Sequence, residues 1–175
     1  NLMEVEIPDG VTSIGDYAFS GCSGLTSINI PDSVTSIGKG VFNGCSGLTN
    51  INVPKNVTII GSIERCSSLT SIDIPEGTTS IDDYAFSGCS NLTSITIPES
   101  VTSIGARAFS GCNSLTSINI PESVTSIKEY AFEECNNLTI YCEASSKPSG
   151  WYNDWNVHTY YRRDIRIPVV WGYKK

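Results

Sequence analysis

The sequence predicts a solenoid of stacked, near-identical turns, and three observations carry that prediction. Residues 98–120, PESVTSIGARAFSGCNSLTSINI, lie over PEGTTSIDDYAFSGCSNLTSITI beginning at Pro75 and over PESVTSIKEYAFEECNNLT beginning at Pro121. The phrase recurs in six copies anchored on Pro8, Pro31, Pro54, Pro75, Pro98 and Pro121, with spacings of 23, 23, 21, 23 and 23 residues. Its apolar residues fall in the same columns each time, as a unit must if it can bury its faces only against its neighbours.

The unit length selects the kind of solenoid. A copy of this size is too short for a two-helix repeat of about 33 residues, but it fits a leucine-rich repeat of roughly 20 to 29. Followed across Pro121, the columns are Leu115, Ile118 and Ile120, then Val124 and Ile127, then Ala131 and Phe132, then Cys135. Ile118, Asn119 and Ile120 alternate as a strand does, which turns Ser117 and Asn119 away from the core. VTSI after the proline forms a second short strand. In KEYAFEEC, Ala131 and Phe132 follow Ile127 by four and five residues, a spacing that predicts a helical or 3₁₀ turn.

The punctuation agrees with this layout. Proline cannot donate to a strand ladder, so its column marks where the long strand stops. Gly15, Gly38, Gly61 and Gly105 follow the VTSI run, but Asp82 and Lys128 take the same place in other copies. A lysine at positive φ would be strained, so an ordinary turn is expected there. The third copy departs: KNVTIIGSIERC replaces DSVTSIGKGVFNGC, two residues are lost, and Ile63 is the nearest stand-in for phenylalanine. A local pinch is expected at that point.

At the start, Leu2, Val5, Ile7 and Pro8 fall where Leu25, Ile28, Ile30 and Pro31 fall in the next copy, so the chain opens in mid-phrase. A bare repeat leaves an apolar end open to water. The expectation is therefore a monomeric fragment whose N-terminal cap, upstream region and any targeting signal lie outside the sequence. At the other end the phrase breaks after Asn137. One strand residue is dropped, which assigns Ile140 and Cys142 to the inward places and Tyr141 to the outward one. The organisation read from this is a repeat array over residues 1–142 and a capping segment over residues 143–175.

The capping segment holds all three tryptophans. It has two readings: aromatics that cover the open end of the core while Arg162, Arg163 and Arg166 face water and IRIPVVW forms a closing strand, or an aromatic sugar-binding platform at Trp151, Tyr152 and Trp155. The first is favoured, because an uncapped solenoid end needs covering.

Composition narrows the function. The net charge is −7, divided between fifteen acidic and five basic side chains in residues 1–141 and three acidic and six basic ones beyond. Phosphate backbones need a basic face, so the charge argues against a nucleic-acid partner. No apolar run approaches the roughly 20 residues that a membrane helix needs, so membrane insertion is not expected.

Features that resemble chemistry have structural explanations. Cys22, Cys45, Cys66, Cys89, Cys112 and Cys135 come once per copy, without the close pairs of a zinc site. Stacked about 4.8 Å apart, with parallel Cα to Cβ directions, they stand too far apart for a disulfide, whose Cβ atoms are about 3.8 Å apart. They read as free, buried, apolar fillers, with Cys142 the seventh. His158 is the single histidine and has no activated nucleophile beside it. There is no phosphate-cradling glycine motif, and no catalytic residue, metal or cofactor is assigned.

Two surfaces remain as binding candidates. The post-proline column Asp9, Asp32, Lys55, Glu76, Glu99 and Glu122 is either a solvated rim or a site for calcium or a basic partner, and Lys55 interrupts any continuous metal array. The outward strand face carries Asn29, Asn52, Asp73, Thr96 and Asn119, with Ser27, Asn50, Ser71, Ser94 and Ser117 beside them. These side chains are small and polar, without the aromatic or arginine residues that dominate hot spots. Binding there would rest on many shallow hydrogen bonds, and a spacer role fits the same face.

Written as C-x-x-L-x-x-I-x-I-P-x-x-V-x-x-I-x-x-x-A-F, with Cys89, Leu92, Ile95, Ile97, Pro98, Val101, Ile104, Ala108 and Phe109 as its instance, the unit resembles the BspA-like (Treponema pallidum type) leucine-rich repeat. The resemblance spans residues 2 to 142, departing at the Ala-Phe positions of the third copy, and the tail IYCEASSKPSGW with VVWGY looks like the end of such arrays. It implies a right-handed β/α solenoid with a concave parallel sheet. It also implies a secreted or cell-surface bacterial protein that binds a protein or glycan partner without chemistry, often in adhesion. A structural spacer in a larger surface protein, or a module of an extracellular hydrolase, are the other readings.

Overall fold

The computed structural model describes residues 2–61, 63–160 and 163–174. Short and longer strands alternate along the array: β1 (Ser13–Ile14), β2 (Ser27–Asn29), β3 (Ser36–Ile37), β4 (Asn50–Asn52), β5 (Ile59–Ile60), β6 (Ser71–Asp73), β7 (Ser80–Ile81), β8 (Ser94–Thr96), β9 (Ser103–Ile104), β10 (Ser117–Ile120), β11 (Ser126–Ile127) and β12 (Thr139–Cys142). The tail adds β13 (Val157–Tyr160), β14 (Arg163–Arg166) and β15 (Val169–Trp171).

The long strands pair in parallel as β2 with β4, β6 with β8, and β10 with β12 and then β15. Isoleucine faces isoleucine in each register, as in Ile28↔Ile51, Ile72↔Ile95 and Ile118↔Ile140. Ile120 stands opposite Cys142 and Asn119 opposite Tyr141, so the dropped residue in the last copy falls where the sequence placed it. The VTSI strands form a second parallel ladder, β1 with β3 and β5-β7-β9-β11 in one run. Outward threonines extend these ladders: Thr49, Thr93 and Thr102 Oγ1 donate to the carbonyls of Thr26, Thr70 and Thr79 at 3.0, 3.1 and 3.2 Å.

The third side of each turn is not helical, and no described residue forms a helix. The expected helical turn in the AF segment is replaced by an alternation. The N–H groups of Tyr17, Phe19 and Gly21 donate to Lys39, Val41 and Asn43 of the next copy, whereas those of Ala18, Ser20 and Cys22 donate three residues back, to Gly15, Tyr17 and Phe19. A helix needs every N–H turned inward along its own axis. Here every second one leaves for the neighbouring copy. The backbone achieves this through positive φ at Tyr17, Tyr84, Arg107 and Tyr130 and, four residues later in the same turns, at Gly21, Gly88, Gly111 and Glu134. Gly15, Gly38, Gly61 and Gly105 have ordinary φ, as expected of a place that lysine shares.

The core is one continuous stack. Phe86, Phe109 and Phe132 are fully buried, with ring centroids 5.4 and 5.3 Å apart along the axis. Phe19 and Phe42 stack at 5.8 Å, and Ile63 interrupts the column between the two groups. Beyond the last phenylalanine, Trp155 meets Phe132 edge-on at 5.9 Å, and Trp151 and Trp171 close around it. Trp151 donates its Nε1–H to the Val124 carbonyl at 3.0 Å and bridges to Ile127, carrying the VTSI ladder into the cap.

The tail thus covers the core, and one of its proposed strands divides in two. Ile165 and Arg166 close β14, which pairs antiparallel with β13, while VVW is β15 beside β12, with Ile167 and Pro168 between them. Arg166 is exposed but held, its Nη1 donating to Asn153 O at 2.9 Å and Asn156 Oδ1 at 3.0 Å. Arg162 and the side chains of Arg163 and His158 lie outside the described residues.

Candidate functional site

The outward row of the long strands is set by their alternation, with register joining its members within each paired set, β2 with β4, β6 with β8, and β10 with β12. Because the side-chain period of a strand is two, burying Ile28, Ile51, Ile72, Ile95 and Ile118 turns Asn29, Asn52, Asp73, Thr96 and Asn119 to the opposite face. Asn29 pairs with Asn52 and Asp73 with Thr96, and these four are exposed while Asn119 is half-buried. Asn52 Nδ2 donates to Asn29 Oδ1 at 3.0 Å, so the row begins as an amide ladder rather than as independent side chains.

The C-terminal end of the row is aromatic, which a reading of the repeat alone misses. Tyr141 follows Asn119 in register, and Val170 of β15 follows Tyr141. The Tyr141 and Tyr173 rings lie 5.0 Å apart, with Tyr173 36% exposed. Tyr141 was placed outward by the sequence, but its partner arrives from the chain terminus, 32 residues away, through no local signal.

The aromatic platform proposed in the cap does not form as a surface. Trp151 and Trp155 are each 2% exposed, their faces taken up by Phe132, Trp171 and one another. Only Tyr152 of the three is open, at 54%. The core's open end claims the indoles, since burying an aromatic of this size there stabilises more than any exposed arrangement.

The cysteines form a buried column, and they are more than fillers. Cys45, Cys66, Cys89, Cys112 and Cys135 each donate Sγ–H to the carbonyl of the residue at the Phe position one copy back: Phe19, Phe42, Ile63, Phe86 and Phe109, at 3.0 to 3.3 Å. All seven thiols are free, and only Cys22 is partly exposed. Burial pushes the Cys89, Cys135 and Cys142 thiols up to about 12, and raises Cys66 and Cys112 strongly as well. A thiol so held is a poor nucleophile. The acidic post-proline column is exposed throughout, and among the described residues no three His, Cys, Asp or Glu side chains converge to hold a metal.

The shortened third copy opens the fold instead of merely pinching it. The VTSI ladder is interrupted between β3 and β5, and a cavity of about 560 Å³ lies at the break. Core residues including Phe42, Ile51 and Ile63 line it, and Tyr17, Lys39, Asp82 and Tyr84 are among the residues at its edge. At that edge Lys128 Nζ donates to Asp83 Oδ1 at 3.0 Å and Asn43 Nδ2 to Glu64 Oε2 at 3.0 Å. Burial alone would raise the Asp83 carboxyl, but the Ala106 N–H and the Lys128 ammonium outweigh it and hold it below the ordinary value. Asp82 is raised, by burial first and by the neighbouring Asp83 charge second.

Stacked parallel strands in two ladders, a phenylalanine column and a polar strand face define a leucine-rich-repeat solenoid. The chain belongs to the BspA type leucine rich repeat family, whose six-copy match covers residues 1–64 and 61–146. Among solved structures it is similar to a leucine rich repeat protein of T. pallidum, with 34% identity over 76% of this chain and 64% of that one and a TM-score of 0.72. A leucine-rich repeat protein from Eubacterium ventriosum is 30% identical over 94% of this chain and 42% of that one, with a TM-score of 0.69. A leucine rich cell surface protein from Faecalibacterium prausnitzii is 37% identical over 86% of this chain and 33% of that one, with a TM-score of 0.53. The chain therefore spans less than two thirds of the length of these relatives. No curated protein matches it.

Proposed function

We propose that this chain is a bacterial cell-surface or secreted recognition module, binding a protein or glycan partner through its long-strand face without covalent chemistry. The observation that carries the reading is the row itself: Asn29 in register with Asn52, Asp73 with Thr96, and Asn119 with Tyr141, whose ring meets that of Tyr173. Polar side chains on a rigid ladder give orientation at small entropic cost, and an aromatic pair at one end supplies the contact area that binding hot spots use. Membership of a family typical of bacterial surfaces, and a relative described as a cell surface protein, support the location.

The test is a binding screen on intact bacterial and host-cell surfaces and a glycan array, followed by Asn52→Lys, Asp73→Lys and Thr96→Lys in one variant. These positions are exposed, so the fold tolerates the change and the melt stays near that of the parent. Loss of a captured partner supports the face. Undiminished binding moves the site elsewhere, and the absence of any captured surface component favours a spacer.

A further inference from the structure

We propose that the cavity at the shortened third copy is a binding site for a small zwitterion with an apolar side chain, an amino acid or dipeptide with free ammonium and carboxylate groups. The inference stands apart from the long-strand face, and its failure leaves the reading of that face untouched.

The cavity follows from the deletion. In the other copies an Ala-Phe pair, or Val41 and Phe42 in the second, fills the space between the VTSI strand and the cysteine turn, but the third copy lacks two residues there and offers only Ile63. Copies two and four do not close the gap, since β3 pairs only with β1 and β5 only with β7. The space left, about 560 Å³, is that of a ligand pocket rather than a packing flaw. Its depth is apolar: Phe42, Ile51, Val57 and Ile63 are each less than 5% exposed, and all line it.

The edge supplies charges of both signs. Lys39 contributes from the second copy and Asp82 from the fourth, and neither side chain has a hydrogen-bond or ion-pair partner among the described residues. The other charges are already engaged, Asp83 by Lys128 and Glu64 by Asn43. Tyr17 and Tyr84 flank the opening with rings 53% and 43% exposed. An apolar side chain would enter the depth, its ammonium meeting Asp82 and its carboxylate Lys39. A neutral sugar would leave the apolar floor unmatched, and a purely apolar ligand would make no use of the two exposed charges of opposite sign at the edge.

The test uses leucyl-phenylalanine as the probe, with its N-acetyl and C-amide derivatives as controls, followed by NMR shifts of the labelled whole chain. The expected result is saturable binding of the free dipeptide at resonances of Tyr17, Lys39 and Tyr84. Each blocked derivative should bind about tenfold more weakly or worse, as loss of one charge-assisted hydrogen bond implies. Asp82→Asn should remove the preference for the free ammonium, and Lys39→Met that for the free carboxylate. Replacing GSIERC of residues 61–66 with the GARAFSGC of residues 105–112 restores the missing Ala-Phe pair and should abolish binding while the melt stays at or above that of the parent. Equal affinity for the blocked derivatives, persistence in the restored variant, or no saturable shift up to the solubility limit would each overturn the proposal.

Discussion

The Cys112 thiol donates its hydrogen to the backbone carbonyl of Phe86, one copy back, at 3.3 Å. The same carbonyl accepts the N–H of Cys89 at 3.1 Å, so the oxygen at each Phe position ties its own turn to the next copy. Cysteine suits the place because it is small, is apolar in bulk and still carries a donor. The column is therefore a set of inter-copy hydrogen bonds that happens to be made of thiols.

Native thiol reactivity should be confined to one site. Cys22 is the only partly exposed cysteine, while the other six are buried, and burial lifts their thiolates out of the range of ordinary pH. Labelling the folded chain with iodoacetamide at pH 8 should add one group, mapped to Cys22 by peptide mass. All seven should label in denaturant. Rapid labelling of Cys112 in the folded state would contradict the buried column.

The same thiols make the fold sensitive to alkali. A thiol raised from about 9 to about 12 binds its proton more tightly folded than unfolded. Its contribution to stability is complete below pH 9 and is lost as pH climbs towards 12, because the unfolded chain releases protons first. Urea midpoints should fall steadily across that window. In Cys89→Ala the decline should be shallower, and an unchanged slope would mean that thiol burial does not govern it.

The phenylalanine stack sets the cost of a hole. Phe86 is fully buried against Phe109, and Phe86→Ala should destabilise by roughly 3 to 5 kcal/mol. Ile63 already interrupts the column beside it, so the cavity can enlarge an existing defect. A thermal or urea melt that does not move would refute the buried column.

Backbone handedness offers an opposite pair of substitutions. Glu134 sits at φ 61°, where Gly21, Gly44, Gly88 and Gly111 stand in other copies. A non-glycine residue there carries about 1 to 2 kcal/mol of strain, part of which glycine's unfolded-state entropy offsets, so Glu134→Gly should stabilise by up to about 1 kcal/mol. Gly111→Ala should lose about as much. Its Cβ meets only ordinary contacts, 3.6 Å from Gly88 Cα, so the change reads strain and not collision. Chemical denaturation of both variants decides the sign.

The cap should behave as part of the core. Trp155 joins Phe132 to Trp151 and Trp171, so Trp155→Ala should cost roughly 3 to 5 kcal/mol and loosen the C-terminal copies first. Hydrogen exchange resolves this: amides of β11 and β12 should lose protection before those of β7. Uniform loss along the array would show that the cap is not what closes that end.

Side-chain spacing is enough to fix the period, the inward and outward columns, the strand ends at proline and the shifted register of Ile140 and Cys142. All of these follow from side-chain spacing repeated until chance alignments cancel. It also marked the third copy as irregular. Tertiary structure alone decided four things. The Ala-Phe turn is not helical because its alternate N–H groups find acceptors in the next copy, and no local propensity records a partner 22 residues away. Trp151 and Trp155 are buried because the last phenylalanine needs a cover, which their sequence neighbours do not reveal. Tyr173 reaches Tyr141 only once β15 has joined the sheet. The third copy opens into a cavity because its neighbours stay bound to other strands, and whether missing residues leave a pinch or a pocket depends on how the surrounding copies pack.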